Sequence, residues 1–323
     1  MSVDLNNGRL AAFLIIWLLL CACLRDEEPV QPYDRGEQVT QSVSLTRTYE
    51  NQVWYSLKNN EVVTTNSKMD WDVRFWSEPE TDALQLNFAK SMSAYRTGET
   101  DFDKIQDTAG FKNGRKFDAP SGNLDSTAVT ATDEIYIIDM GFAPDGTHVG
   151  FYKLKVLKDG NRFQLQYGTL KSNDPEEIEL EPDLNTDFTY FSMTASKQVY
   201  PEPQKGEYDL LFTQYTHLFQ EPFMPYLVVG CVTRPKIRSG EINSIPFEEI
   251  SIEDTSHVHF STAQNFIGYD WKEFDLNENT YTIDTERVFI IQYQSGLYYK
   301  LHFLDFLDVE GNRGAPTFSF KVL

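Results

Sequence analysis

The sequence predicts an all-β protein of many short antiparallel strands. Three observations lead there. Apolar side chains recur at every second position in short runs such as Trp71-Asp72-Val73-Arg74-Phe75 and Leu84-Gln85-Leu86-Asn87-Phe88, the period of a strand with one buried face. Turn signals rich in Gly, Asn and Asp separate these runs. After residue 24 no segment sustains a 3.6-residue period over a helical length. Composition agrees: 41% hydrophobic and 14% aromatic residues, with Phe and Tyr dominant, supply a core and favour strands.

The chain opens on an apolar run from Leu10 to Leu20, shorter than the roughly 20 residues a membrane-crossing helix needs. It has the length of a signal-peptide core and ends in Leu20-Cys21-Ala22-Cys23, small residues before a cysteine. That ending resembles a bacterial lipobox, which implies removal of residues 1–22 and lipidation of Cys23. Cys21 is the poorer acceptor because bulky Leu20 directly precedes it. An uncleaved N-terminal anchor is the alternative, with the same topology. The acidic stretch Asp26-Glu27-Glu28 resembles the export tag of Bacteroidetes-type surface lipoproteins, which implies the outer face of the outer membrane. Residues 23–45 are polar, carry Pro29, Pro32 and Gly36, and read as a flexible tether.

From residue 46 to 323 the chain reads as one all-β region. Val53-Trp54-Tyr55-Ser56-Leu57 turns through Lys58-Asn59-Asn60-Glu61 into Val62-Val63, a hairpin signal. Residues 96–126 form a long connection, with a helical turn expected near Asp101 to Ile105. Two later blocks resemble each other: Ile135 to Val156 and Val288 to Phe303 are both aromatic-rich hairpins whose second strand carries Tyr-Lys-Leu. They suggest two similar halves, about 46–200 and 201–323. Between them Asp174 to Asp183 reads as an acidic linker, and a clear strand pattern returns at Tyr208.

The formal net charge of −21 repels phosphate backbones and argues against a nucleic-acid partner. With Cys21 removed and Cys23 lipidated, Cys231 has no disulfide partner, and its apolar run reads as a buried strand. Nothing matches a nucleophile elbow, a phosphate-binding glycine loop, a zinc His-Glu pair or a calcium loop, so no catalysis is expected.

Three stretches together resemble the HmuY family of outer-membrane lipoproteins. They are Trp54-Tyr55-Ser56-Leu57 with Trp71 to Phe75, then Ile267-Gly268-Tyr269-Asp270-Trp271-Lys272, then Tyr298 to Phe306. The closing Gly311-Asn312-Arg313-Gly314 turn and Phe318-Ser319-Phe320 strand also fit. The resemblance covers roughly residue 46 to the C-terminus, and the chain looks like a longer branch of the family. It implies a twisted all-β sheet or sandwich that takes haem and passes it to a TonB-dependent transporter. It also implies iron held between two histidines or two methionines. The alternative is a non-haem accessory lipoprotein that assists or caps a TonB-dependent nutrient transporter.

Haem needs axial nitrogen or sulfur donors, apolar faces and cations near its propionates. No position here aligns with the family's known iron ligands. On chemistry alone the candidates are His217, beside the aromatic stretch Pro222-Phe223-Met224-Pro225-Tyr226, which reads as a loop stiffened by two prolines, paired with His257 or His259; Met224 is the sulfur candidate. Read as a strand, His257 and His259 would share one face about 7 Å apart, which suits a chelated ion better than the two sides of a porphyrin. Arg234, Lys236 and Arg238 form a local basic run, a candidate propionate clamp. His148 reads as a solvated loop residue, and His302 as a residue on the surface face of its strand. No metal beyond haem iron is expected.

Overall fold

The computed structural model describes residues 36–78 and 81–323. The expected signal peptide, Cys21, the lipidation candidate Cys23 and the part of the expected tether up to residue 35 lie outside the described residues. Among the described residues no helix is long and apolar enough to cross a membrane. Residues 36–323 form one compact unit whose regular elements are mostly strands.

Four sheets of four to six strands make up the body, and the strand pairs are antiparallel. The first runs Val39–Ser42, Arg313–Val322, Tyr298–Leu307, Val288–Gln292, Arg238–Ile242. The second runs Phe223–Thr233, Leu210–Gln220, Asn51–Ser56, Glu61–Ser67. The third runs Lys197–Val199, Phe188–Ser192, Val73–Trp76, Ala83–Leu86, Val129–Thr130. The fourth runs Glu176–Leu180, Arg162–Thr169, Phe151–Asp159, Thr132–Asp139, Ser93–Arg96, Lys116–Phe117. A separate two-stranded ribbon joins Lys272–Asp275 to Thr280–Ile283.

Three apolar clusters hold these sheets in register. Val53, Tyr55 and Phe212 of the second sheet pack with Phe303, Phe318 and Phe320 of the first. Phe75, Leu84 and Leu86 of the third pack with Ile138, Leu154 and Leu165 of the fourth. Trp54, Leu211 and Val232 of the second meet Phe188 and Tyr190 of the third. The second and third sheets are therefore covered on both faces, so Arg74 and Gln85, at the polar positions of the two alternating runs, are buried along with their apolar neighbours. All five residues of Phe188–Ser192 are buried for this reason.

The hairpins at 53–63, 135–156 and 288–303 fall where the apolar runs and turn signals placed them. A short 3-10 turn, Phe102–Lys104, is capped by the Asp101 side chain. The structure departs from the reading in two places. Val39–Ser42, inside the stretch read as tether, pairs with the last strand. Glu176–Leu180, inside the stretch read as linker, is an edge strand paired with Arg162–Thr169. Its glutamates stay solvated while the backbone pairs, which suits an edge because charge discourages further pairing. The second sheet draws strands from both sides of residue 200.

Candidate functional site

The longest hairpin carries the site. Leu210–Gln220 pairs residue by residue with Phe223–Thr233, from Leu210 opposite Thr233 to Gln220 opposite Phe223. Its tip, read from the prolines as a loop, is strand almost to the turn. Phe223–Thr233 is an edge strand, so Pro225 is tolerated without losing a ladder bond the sheet needs.

The register decides which side chains share a face. Residues directly opposite in an antiparallel pair project to the same side. Tyr215 opposes Val228, His217 opposes Tyr226, and Phe219 opposes Met224, so these six form one face. His217 lies 4.6 Å from the Phe219 ring and 4.9 Å from the Tyr269 ring. Towards the tip the face opens to solvent: Met224 is 45% exposed and Tyr226 57%.

Tyr269 comes from a loop pressed onto the hairpin. Gly268 exchanges backbone hydrogen bonds with Cys231, at 2.9 and 3.1 Å. A Cβ on Gly230 would sit 2.2 Å from the Gly268 carbonyl oxygen, so only glycine permits the approach. Gly268 itself has φ +67, the left-handed region. The two glycines thus set Tyr269 against His217.

Burial lowers the pKa of His217, against a weaker opposing pull from Asp270, and keeps the imidazole neutral. Its ring nitrogens make no hydrogen bond among the described residues. A neutral imidazole between two aromatic rings is a nitrogen donor of the kind iron in a tetrapyrrole takes, and Met224 lies one register step away on the same face. Tyr226 stood in the aromatic stretch noted beside His217 and Tyr269 in a motif of the family resemblance, but neither they nor Phe219 were named as site residues from the sequence. The signal for Tyr269 was the adjacent Gly268, and for the other two the register with His217.

The other candidates lie elsewhere. His257 closes the 3-10 helix Glu253–His257, and His259 follows in irregular chain, so the two are not strand neighbours. Val258 between them turns in onto Gly240 while both histidines stay exposed. No described contact joins either to His217. Arg234 is drawn to Asp187 at 3.4 Å, Lys236 to Glu78 at 3.4 Å, and Arg238 donates to the Phe260 carbonyl at 3.3 Å. The basic run is thus already engaged by protein groups.

His302, read as surface-facing, is 8% exposed, its ring stacked on Phe247 at 4.0 Å and Nδ1 3.0 Å from the Thr285 carbonyl oxygen. The 245–258 segment covers that face of the sheet. His148 hydrogen-bonds Asp139 at 2.8 Å. Cys231 is buried opposite Phe212, and burial pushes its thiol far up, consistent with a packing role. Among the described residues no group of three or more His, Cys, Asp or Glu side chains could hold a metal ion.

Among solved structures, apo PinO from Porphyromonas gingivitis aligns at 10% identity over 89% of this chain and 98% of its own, with a TM-score of 0.31. The apo HmuY analog TFO from Tannerella forsythia aligns at 10% identity over 90% and 98%, with a TM-score of 0.25. No curated protein matches the sequence. A family model described as HmuY protein matches residues 48–320, nearly the whole strand-built body. The chain belongs to the HmuY family.

Proposed function

We propose that this chain is a surface lipoprotein, anchored at Cys23 in the outer membrane, that binds haem or a related tetrapyrrole and passes it to a TonB-dependent transporter. The carrying observation is the hairpin face that joins His217 and Met224 among Phe219, Tyr226 and Tyr269. When bound, haem would supply an iron that accepts nitrogen or sulfur donors. His217 would give a nitrogen to one side of the iron, while Met224, one register step away on the same face and so unable to reach the other side as well, would join the aromatic rings in covering the macrocycle. The protein's own work is to hold the imidazole neutral and to exclude water from one side of the ligand. No residue is assigned a catalytic role.

A second reading rests on the tip itself. Phe223, Met224 and Tyr226 are 57%, 45% and 57% exposed, a cluster of apolar side chains of the kind that docks against protein. On that reading the chain is an accessory lipoprotein of a TonB-dependent nutrient transporter and carries no tetrapyrrole. Haemin added to the purified protein separates the two. Saturable quenching of tryptophan fluorescence supports the carrier. A flat titration, together with a transporter that copurifies from detergent extracts, supports the accessory.

A further inference from the structure

The geometry points to a second ligand site, built where segments near residues 47 and 313 come together and independent of the haem reading, that binds a small aromatic carboxylate through Arg47 and Arg313.

Arg47 and Arg313 line one cavity of about 240 Å³, with Phe274, Tyr281 and Leu307 as its apolar wall. They meet because the chain's two ends are tied: Leu45 N–H donates to the Gly314 carbonyl at 2.8 Å. A Cβ on Gly314 would lie 2.5 Å from the Thr46 carbonyl oxygen, so the 46–49 turn is pressed onto the strand that carries Arg313. That turn is held in a costly shape. Thr46 has φ +66 and Tyr49 φ +55, and a β-branched residue in the left-handed region is a true outlier. The turn carries Arg47, one of the cavity's lining residues, and the Arg313 guanidinium lies 5.5 Å from the Tyr49 ring.

The charge pattern is the second observation. Among the described arginines only Arg47, Arg115 and Arg313 make neither an ion pair nor a side-chain hydrogen bond to a described residue. Two of these three line the same cavity, in a chain of net charge −21 where acceptors are plentiful. Both are exposed residues whose guanidinium groups are free for a ligand at this cavity. Their planar forks match a carboxylate. Phe274 and Tyr281, 4.9 Å apart between ring centroids, offer faces for an aromatic body, and the volume limits that body to about one ring.

The test is calorimetric titration of the protein with benzoate, benzamide and inorganic phosphate, repeated on Arg47→Gln, Arg313→Gln and Arg115→Gln. The expected result is one benzoate site that benzamide does not occupy, weakened about tenfold or more by either Arg47→Gln or Arg313→Gln, and unchanged by Arg115→Gln. Both substituted side chains are exposed, so unchanged thermal midpoints should accompany the loss. Absence of benzoate binding overturns the assignment. So does equal binding of benzamide, binding of phosphate in place of benzoate, or an equal loss in Arg115→Gln. A haemin titration that fails leaves this result untouched, and the reverse also holds.

Discussion

The rings of His217 and Tyr269 meet at 4.9 Å with an interplanar angle of 60°, across the contact between the long hairpin and the 263–271 loop. That contact exists because Gly230 has no side chain. In Gly230→Ala the new methyl would face the Gly268 carbonyl oxygen at 2.2 Å, a backbone atom that cannot rotate away. The loop must lift, at a cost of roughly 1–3 kcal/mol. A lowered denaturation midpoint, with Tyr269 more accessible to solvent quenchers, is the expected outcome.

Lys90 and Asp72 form a fully buried ion pair, 1% and 0% exposed at the side chain. Asp72 also accepts from the Thr194 hydroxyl at 2.9 Å and the Thr194 N–H at 3.0 Å. Lys90→Met strips the cation and leaves the carboxylate buried with only neutral donors. The expected loss is about 3–5 kcal/mol in denaturant unfolding. Adding Asp72→Asn to Lys90→Met should recover part of it, since the amide oxygen still accepts from Thr194 and no charge remains. A double variant no more stable than the single one would show that the pair acts through packing alone.

Glu202 sets a pH dependence. Burial raises its pKa from the ordinary 4.5 to about 7, although the Tyr208 hydroxyl and the Phe188 N–H donate to it. The folded chain therefore keeps this proton up to about 7, while the unfolded chain releases it near 4.5. Stability from Glu202 is fully present below 4.5 and is lost as pH rises through 7. Glu202→Gln has no proton to lose. Relative to the native protein it should gain up to about 3 kcal/mol between those limits. Urea unfolding of both proteins at pH 4.5 and pH 7.5 measures the change; parallel profiles would refute it.

A strand with one wet face is legible from the period of two, and Arg162–Thr169 shows it, with Phe163, Leu165 and Tyr167 buried and the residues between them more exposed; the hairpins at 53–63, 135–156 and 288–303 were legible from apolar runs on either side of a turn signal. Strands that break the period were not. Phe188–Ser192 is buried on both faces and does not alternate, and Glu176–Leu180 is charged on an edge. Both fell inside or next to a stretch read as linker. Pro222 and Pro225 disguised the hairpin tip as a loop, because tolerance of proline depends on being an edge strand, which is a tertiary fact. His302 looked surface-facing because its neighbours alternate, but the 245–258 segment covers that face from afar in sequence. His217 and Met224 were legible by residue type, and their shared face follows only from the register. The engagement of Arg234, Lys236 and Arg238 by Asp187, Glu78 and the Phe260 carbonyl depends on contacts from distant segments.

The central claim is that His217 offers a neutral imidazole to a tetrapyrrole iron. It is tested most directly by titrating haemin into the native protein and into His217→Ala while recording the Soret band. The account predicts a sharpened, shifted band that saturates with the native protein and is largely lost in the variant. An identical band in both proteins, or none in either, would contradict it.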